Sequence, residues 1–128
     1  MRLLLDTHTF LWWVNDSSKL SRRALQAIGD AERPCLFSLT SCWEMAIKVG
    51  SGKLELPFSV ARFVSEQLAA NGFLQLSIEL AHASRVAELP PHHRDPFDRL
   101  LAAQALEEDL AIVSADSIFK RYGVRRIW

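Results

Sequence analysis

The segment DPFDRLLAAQALEEDLAIVS, residues 95–114, contains the repeating unit of the fold, a helix followed directly by a buried strand. Asp95 is a residue type favoured as an N-cap, and Pro96 is of the type favoured in the first turn of a helix. The short apolar run LAIVS at 110–114 has no polar face, which is typical of a strand that is buried on both sides. We therefore predict a helix over 96–109 and a strand over 110–114.

The same alternation of helix and strand continues along the whole chain. Strands are predicted at 2–6, 34–38, 73–77, 110–114 and 124–128, and helices at about 8–14, 18–30, 39–50, 59–71, 78–88, 96–109 and 116–122. Ser17 and Ser18 precede the second helix, and Gly72 is a typical stop for the fourth. Strands separated by helices favour a parallel α/β sheet. Because the chain contains no repeat or long linker, we expect a single domain over residues 1–128.

Composition excludes several classes of protein. Hydrophobic residues make up 49% of the chain and charged residues 23%, as in a folded globular domain and unlike a disordered chain. No stretch reaches the roughly 18 consecutive apolar residues that a membrane span needs, so we expect a cytoplasmic protein. Cys35 and Cys42 lie in apolar segments, where free thiols behave as small hydrophobic groups, and we expect neither a disulfide nor a zinc site.

Acidic residues lie where the carboxyl ends of the predicted strands would meet. Asp6 ends the first strand, and Asp116 lies two residues beyond the fourth. In an open parallel sheet the working site lies outside the carboxyl ends of the strands, at the point where strand order reverses. Asp95 and Asp98 begin a crossover helix, whose N-terminus borders the same crevice. Glu44, early in the helix after the second strand, reaches the same rim, so the sequence predicts a convergence of acids.

Each acid also has a purely structural explanation. Asp6, Asp95 and Asp116 each precede a predicted helix and could act as N-caps. Glu44 could form a surface ion pair with Lys48 at i,i+4, a pair worth only a few tenths of a kcal/mol. Helix 39–50 has a polar stripe, expected to face solvent, opposite an apolar stripe. The polar stripe is Thr40, Ser41, Glu44 and Lys48, and the apolar stripe is Leu39, Cys42, Trp43, Ala46 and Ile47.

Asp98 is the acid that packing explains least well. The helix behind it continues as LLAAQA over 100–105 and is apolar on more than one face. A carboxylate at the inner end of such a helix is costly unless it is paired, so we expect a cation or a set of donors close by. His92 and His93 are expected to lie with Arg94 in an exposed loop, without a ligand role.

Four motifs in order carry a family resemblance. LLLDTH at 3–8, SCWEMAIK at 41–48, RDPFDRLLAAQA at 94–105 and IVSAD at 112–116 resemble the PIN-domain nucleases, especially the small toxins of the VapC type. The resemblance implies a three-layer α/β/α sandwich with a central parallel sheet of Rossmann-like topology. It also implies an acid cluster that holds Mg2+ or Mn2+, cleavage of RNA phosphodiester bonds, and a cognate antitoxin whose C-terminal segment blocks the site.

The family's acidic positions are carried over residue by residue. They fall on Asp6, Glu44, Asp98 and Asp116, and Asp95 is a secondary candidate for a metal ligand. In this interpretation Asp6, Asp98 and Asp116 are direct or water-mediated ligands, and Glu44 is a further ligand or a water-orienting base. Thr7 and Ser114 are expected to orient the carboxylates, and Ser114 retains the hydroxyl of the threonine that many members have there.

The chemistry of the residues supports the same metals independently. Hard divalent cations prefer oxygen ligands, so an all-carboxylate site favours Mg2+ or Mn2+ over zinc. Metal-activated water could then attack a phosphodiester in line.

Charge and aromatic residues suggest partners. The chain has 15 basic and 15 acidic residues, and setting aside the four proposed site acids leaves 15 basic against 11 acidic. Lys48 and Arg99 lie beside the acid motifs and are expected to hold RNA phosphates. The run FLWWV at 10–14 has no polar face, so we expect Trp12 or Trp13 at a protein interface, in a homodimer or with an antitoxin.

Rival functions remain open from the sequence. A haloacid-dehalogenase-like phosphatase needs a second Asp two residues after its nucleophile, where this chain has His8, and a receiver domain needs an Asp after its third strand, where this chain has Ser77. The non-enzymatic alternative is a catalytically silent PIN-like binding module in which the acids only cap helices. Specific Mg2+ binding would separate that module from a nuclease.

Overall fold

The computed structural model describes residues 1–128 and contains one sheet of five parallel strands. They are β1 (Leu3–Leu5), β2 (Cys35–Ser38), β3 (Leu74–Leu76), β4 (Ala111–Val113) and β5 (Arg126–Ile127). The order across the sheet is β3-β2-β1-β4-β5, and Leu5 of β1 aligns with Phe37 of β2 and Val113 of β4. Strand order reverses between β1 and β4, which places the crevice of the sheet at the carboxyl ends of these two strands.

Seven α-helices and one short 3-10 helix connect the strands. They are α1 (Thr7–Val14), α2 (Arg22–Gly29), α3 (Leu39–Gly50), α4 (Val60–Asn71), α5 (Leu80–Arg85), the 3-10 helix Val86–Glu88, α6 (Pro96–Glu108) and α7 (Ile118–Arg121). None of these helices combines the length and the apolar character needed to cross a membrane.

Helices cover both faces of the sheet, because alternate strand residues point to opposite faces. On one face Leu3 and Leu5 belong to a core cluster with Phe10 of α1. On the other face Leu4 belongs to a second cluster with Leu101 of α6. The resulting arrangement is the expected three-layer α/β/α sandwich.

The predicted elements are all present, with shifted boundaries. The second helix begins at Arg22 and is capped by Ser21, whose side chain accepts a hydrogen bond from Ala24 N. Ser17 instead accepts from Lys19 N within a turn, so the prediction that Ser17 and Ser18 begin this helix is wrong. The helix predicted at 78–88 covers only Leu80–Arg85 and continues as the 3-10 helix. Gly72 ends α4 at φ 68, the left-handed conformation that glycine adopts without strain.

Helix α3 turns its polar stripe inward, which contradicts the expectation from its pattern. Trp43 is 50% exposed, whereas Thr40, Ser41 and Glu44 are buried. The buried hydroxyls find partners on neighbouring elements, as Thr40 Oγ1 does with Gln104 Oε1 of α6 at 3.1 Å. A helix that borders a polar site can therefore bury hydrogen-bonded polar groups and leave apolar ones in solvent.

Both cysteines are free thiols. Burial raises the pKa of the Cys35 thiol to about 11 and also raises the pKa of the Cys42 thiol. Because the thiolate is the reactive form, these raised pKa values disfavour reaction at both thiols.

Candidate active site

Asp6 occupies the carboxyl end of the central strand and is buried. Its Oδ1 accepts a hydrogen bond from Thr9 N at 2.8 Å and so caps α1, as the structural interpretation predicted. Its Oδ2 accepts a hydrogen bond from the Ser114 hydroxyl, which follows β4. The cap therefore accounts for only one of the two carboxylate oxygens, and the other is directed toward the neighbouring strand.

Ser114 joins the acids at the ends of β1 and β4. Its hydroxyl donates to Asp6, and its oxygen accepts the Asp116 amide at 3.0 Å. The Asp116 side chain is exposed, and its Oδ1 accepts from Ile118 N at 3.0 Å at the start of the last helix. The expected neighbourhood of Asp6 and Asp116 follows from the pairing of their strands.

Glu44 is connected to the same region through Thr7. Thr7 Oγ1 donates to Glu44 Oε1 at 2.7 Å and also lies 2.9 Å from Ser41 Oγ. Lys48 Nζ lies 2.8 Å from Glu44 Oε2, so the predicted i,i+4 ion pair is present. However, Glu44 is only 7% exposed, and the pair is therefore not the solvated surface pair that the sequence indicated.

Asp98, Asp116 and His93 form the tightest group of potential metal ligands. One ligand atom of each residue lies within 4.8 Å of the others, although the residues come from α6, from the segment after β4 and from the loop before α6. Burial raises the pKa of Asp98 to about 6; the hydrogen bond and charge of His93 oppose this shift, and the charges of Asp95 and Asp116 add to it. A divalent cation would relieve this repulsion between carboxylates.

The structure brings two of the four carried-over acids into one close group. Asp98 and Asp116 are mutually close, while Asp6 and Glu44 lie outside that closest group and are held by Ser114 and Thr7. Thr7 and Ser114 make the contacts with carboxylates that were expected of them.

Asp95 has a clear structural role. Its Oδ1 accepts from Phe97 N at 2.8 Å and from Asp98 N at 3.2 Å, so it is the N-cap of α6, directly before Pro96. The cap fixes the first turn of the helix, from which Asp98 projects. Its role as a secondary metal candidate stays a prediction.

His93 is a residue whose involvement the sequence interpretation missed. The side chain is 29% exposed, and Nε2 lies 2.9 Å from Asp98 Oδ2, so His93 is not the exposed loop residue that the sequence predicted. The available signal was the spacing of five residues between His93 and Asp98 across a capped helix start. His92 instead lies against the Tyr122 ring, with ring centroids 5.4 Å apart.

Arg99 holds the preceding loop together, and its expected contact with an RNA phosphate stays a prediction. Its guanidinium donates to the carbonyl oxygens of Pro90 at 2.9 Å and Val86 at 3.2 Å and to the Tyr122 hydroxyl at 3.1 Å. These contacts use both terminal nitrogens of the guanidinium, so less of it is available to a phosphate. Lys48 is the basic residue that contacts one of the site acids directly.

Trp12 and Trp13 both pack within the chain. The Trp12 ring lies 5.8 Å from that of Trp128, and Trp13 Nε1 donates to Asn71 Oδ1 at 2.9 Å. Both indoles are half-buried. Their role at a protein interface stays a prediction.

The donor set fits a hard divalent metal ion. Carboxylate oxygens from separate elements converge, and one of them, on Asp98, has a pKa raised by burial and by neighbouring negative charge. Such oxygen ligands are those that Mg2+ and Mn2+ prefer.

Acids gathered where strand order reverses in a parallel sheet define an α/β/α domain with a candidate metal-dependent site. The family model of the PIN domain matches residues 3–125, and the chain belongs to the PIN-domain family. The family resemblance inferred from the sequence motifs is thereby confirmed.

Similar proteins include a ribonuclease and two proteins that were crystallised with DNA. The chain is 30% identical over 115 residues to Ribonuclease VapC22 of Mycobacterium tuberculosis (strain ATCC 25618 / H37Rv), an overlap of 89% of this chain and 86% of that protein. It has the fold of VapBC2 from Rickettsia felis, crystallised with a promoter DNA fragment, with a TM-score of 0.72, 16% identity and coverage of 98% and 97% of the two chains. The DNA-bound VapBC of Salmonella typhimurium matches with a TM-score of 0.72, 18% identity and coverage of 98% and 96%.

Proposed function

We propose that this protein is a divalent-metal-dependent endoribonuclease and the toxin of a toxin–antitoxin pair. The observation that carries the proposal is the approach of Asp98 and Asp116 to within 4.8 Å at the strand-order reversal of a PIN-family sheet. RNA is the proposed substrate because the similar VapC22 is named a ribonuclease.

The surroundings of each acid suggest a different role for it. Asp98 and Asp116 would hold the metal, with Asp6 as a direct or water-mediated ligand and Glu44 as a further ligand or a water-orienting base. The chemistry that Mg2+ or Mn2+ supplies when bound is activation of water and neutralisation of charge at the phosphodiester. Ser114 limits the rotation of the Asp6 carboxylate by donating to one of its oxygens.

The Glu44 carboxylate is oriented by two hydrogen-bond donors, one of which also neutralises its negative charge. Thr7 donates to one carboxylate oxygen and Lys48 to the other. This arrangement supports Glu44 in orienting a water, since its carboxylate is fixed before any substrate arrives. The Lys48 ammonium also provides positive charge beside the acids, where it could attract the RNA backbone.

We propose a cognate antitoxin as protein partner. VapBC2 of Rickettsia felis and VapBC of Salmonella typhimurium, which share the fold, were each solved bound to DNA, and a toxin–antitoxin complex from Klebsiella pneumoniae has the same fold with a TM-score of 0.58 and 20% identity. We further propose a homodimer to which Trp12 or Trp13 contributes. Sedimentation of the wild type and of a Trp12→Ala, Trp13→Ala variant over a range of concentrations tests the dimer, and an unchanged monomer would contradict it.

A matched RNA cleavage assay tests the enzymatic proposal. Wild type and Asp98→Asn are incubated with a pool of structured RNAs in Mg2+, in Mn2+ and in chelator. Asp109→Asn is the control, because it neutralises an acid just beyond the far end of α6 at φ 52, a conformation that asparagine tolerates. Cleavage should require metal, disappear in Asp98→Asn and persist in Asp109→Asn.

The other outcomes separate the alternative functions. Cleavage that continues in chelator would contradict the metal-dependent site. A folded wild type that neither cleaves RNA nor binds metal would favour a silent binding module. Hydrolysis of a small phosphomonoester in place of RNA would favour another phosphate hydrolase.

A further inference from the structure

We propose that His93 supplies an imidazole ligand to the metal held by Asp98 and Asp116, and that this ligand makes the site prefer Mn2+ to Mg2+. The inference rests on the proposed function, since it concerns the same metal. It adds a nitrogen donor to a site that the sequence indicated to be all carboxylate.

The separations between the donors suit shared ligation of one ion. His93 Nε2 lies 2.9 Å from Asp98 Oδ2, and one atom each of His93, Asp98 and Asp116 lies within 4.8 Å of the other two. Neighbouring ligands at about 2.1 Å from an octahedral ion are about 3 Å apart, and opposite ligands are about 4.2 Å apart. The 2.9 Å contact matches neighbouring ligands, whereas the 4.8 Å limit is somewhat wider than the spacing of opposite ligands, so the three side chains would draw slightly closer when an ion binds.

His93 is held in place by a braced loop. Arg99 donates to the carbonyl oxygens of Pro90 at 2.9 Å and Leu89 at 3.4 Å. On the other side of His93, the Asp95 cap fixes the start of α6. The imidazole is thus already oriented before an ion binds. Metal binding therefore costs little side-chain conformational entropy at His93.

Coordination chemistry predicts which ion a His93 ligand would bind more tightly. Mn2+ shares the preference of Mg2+ for oxygen ligands, but as a transition metal it accepts an imidazole nitrogen more readily than Mg2+, which retains much of its water. If His93 merely oriented Asp98 by hydrogen bonding, its removal would weaken both metals alike. If His93 is a ligand, its removal weakens Mn2+ binding the more.

The decisive measurement is pulsed electron paramagnetic resonance of the full chain loaded with Mn2+. Wild type and the control His92→Gln should show modulation from coordinated nitrogen, and His93→Gln should lose it. His93→Asp, which restores a ligand but with oxygen, should bind Mn2+ without the nitrogen signal. Circular dichroism melting confirms that each variant is folded.

Calorimetric titrations with Mn2+ and with Mg2+ complete the test. His93→Gln should weaken Mn2+ binding by about 10-fold, within the range seen when a group supporting a metal site is lost, and should weaken Mg2+ binding less. Tightly bound Mn2+ without a nitrogen signal in wild type would overturn the His93 proposal and leave the nuclease proposal standing. Failure to bind any Mn2+ or Mg2+ would overturn both.

Discussion

Ser114, which follows β4, donates a hydrogen bond to the carboxylate of Asp6 at the end of β1. The same hydroxyl oxygen accepts the Asp116 amide, so one fully buried side chain connects two acids that are far apart in the sequence. Strand pairing alone brings the backbones together. The serine hydroxyl sets the orientation of the Asp6 carboxylate.

Removing this hydroxyl should destabilise the fold and impair the site. Ser114→Ala leaves a buried carboxylate oxygen and an amide without their partner, which costs about 1–3 kcal/mol in the free energy of unfolding. Ser114→Thr retains the hydroxyl and is the control. Urea unfolding measures the difference, and a Ser114→Ala protein as stable as wild type would show that the hydrogen bond contributes nothing net.

Two substitutions at Asp6 distinguish the contribution of its N-cap hydrogen bond to stability from the contribution of its negative charge to the site. Asp6→Asn keeps an N-cap residue for α1, whereas Asp6→Ala loses the cap and should reduce stability by about 1 kcal/mol. Both remove the carboxylate, so both should lose metal affinity and RNA cleavage. Calorimetry and the cleavage assay measure these losses. A folded Asp6→Asn protein that cleaves at the wild-type rate would refute a catalytic role for Asp6.

The raised pKa of Asp98 predicts a stability that depends on pH in the absence of metal. Because the pKa is about 6 in the folded protein against an ordinary 3.8, ionised Asp98 destabilises the native state above pH 6. This penalty diminishes as the pH falls through 6 and is gone below 3.8. Asp98→Asn should therefore be more stable than wild type at neutral pH, by on the order of 1–3 kcal/mol.

Urea titrations in chelator at several pH values check this sign. The advantage of Asp98→Asn should shrink steadily as the pH approaches 4, since the wild-type carboxyl is then neutral as well. An advantage that grows on acidification would contradict the raised pKa. In wild type, metal affinity should fall below about pH 6, because protons compete with the metal for Asp98.

Lys48 and Arg99 should respond differently when they are replaced. Lys48→Met should weaken RNA binding and reduce the slope of log affinity against log salt by about 1, as expected for one lost phosphate contact. Arg99→Met, which also removes one positive charge, should leave that slope unchanged and lower the free energy of unfolding by about 1–2 kcal/mol, because the loop carbonyls lose their shared donor. A reduced salt slope in Arg99→Met would instead support a phosphate contact of Arg99.

The sequence was sufficient where local pattern decides structure. Apolar runs and capping signals predicted the five strands, the Asp95 cap and the stop at Gly72. Because parallel strands end at the same edge of a sheet, the sequence also predicted that Asp6 and Asp116 would lie near each other.

Tertiary contacts decided the features that depend on partners far apart in the chain. The hydrophobic pattern of α3 indicated that Glu44 faces solvent, but Thr7 from α1 bonds it in a buried position. Arg99 was expected beside a phosphate, but the loop carbonyls engage it. His93 joins the acids because the loop folds back onto α6.

The sequence by itself determined the order of helices and strands, the parallel sheet and the edge at which the acids gather, since these follow from periodicity and capping within short segments. Only the tertiary structure decided which polar groups are buried and which donors surround Asp98. The physical reason is that burying a polar side chain costs desolvation free energy. Only a hydrogen-bond partner in the folded chain, often distant in sequence, offsets that cost.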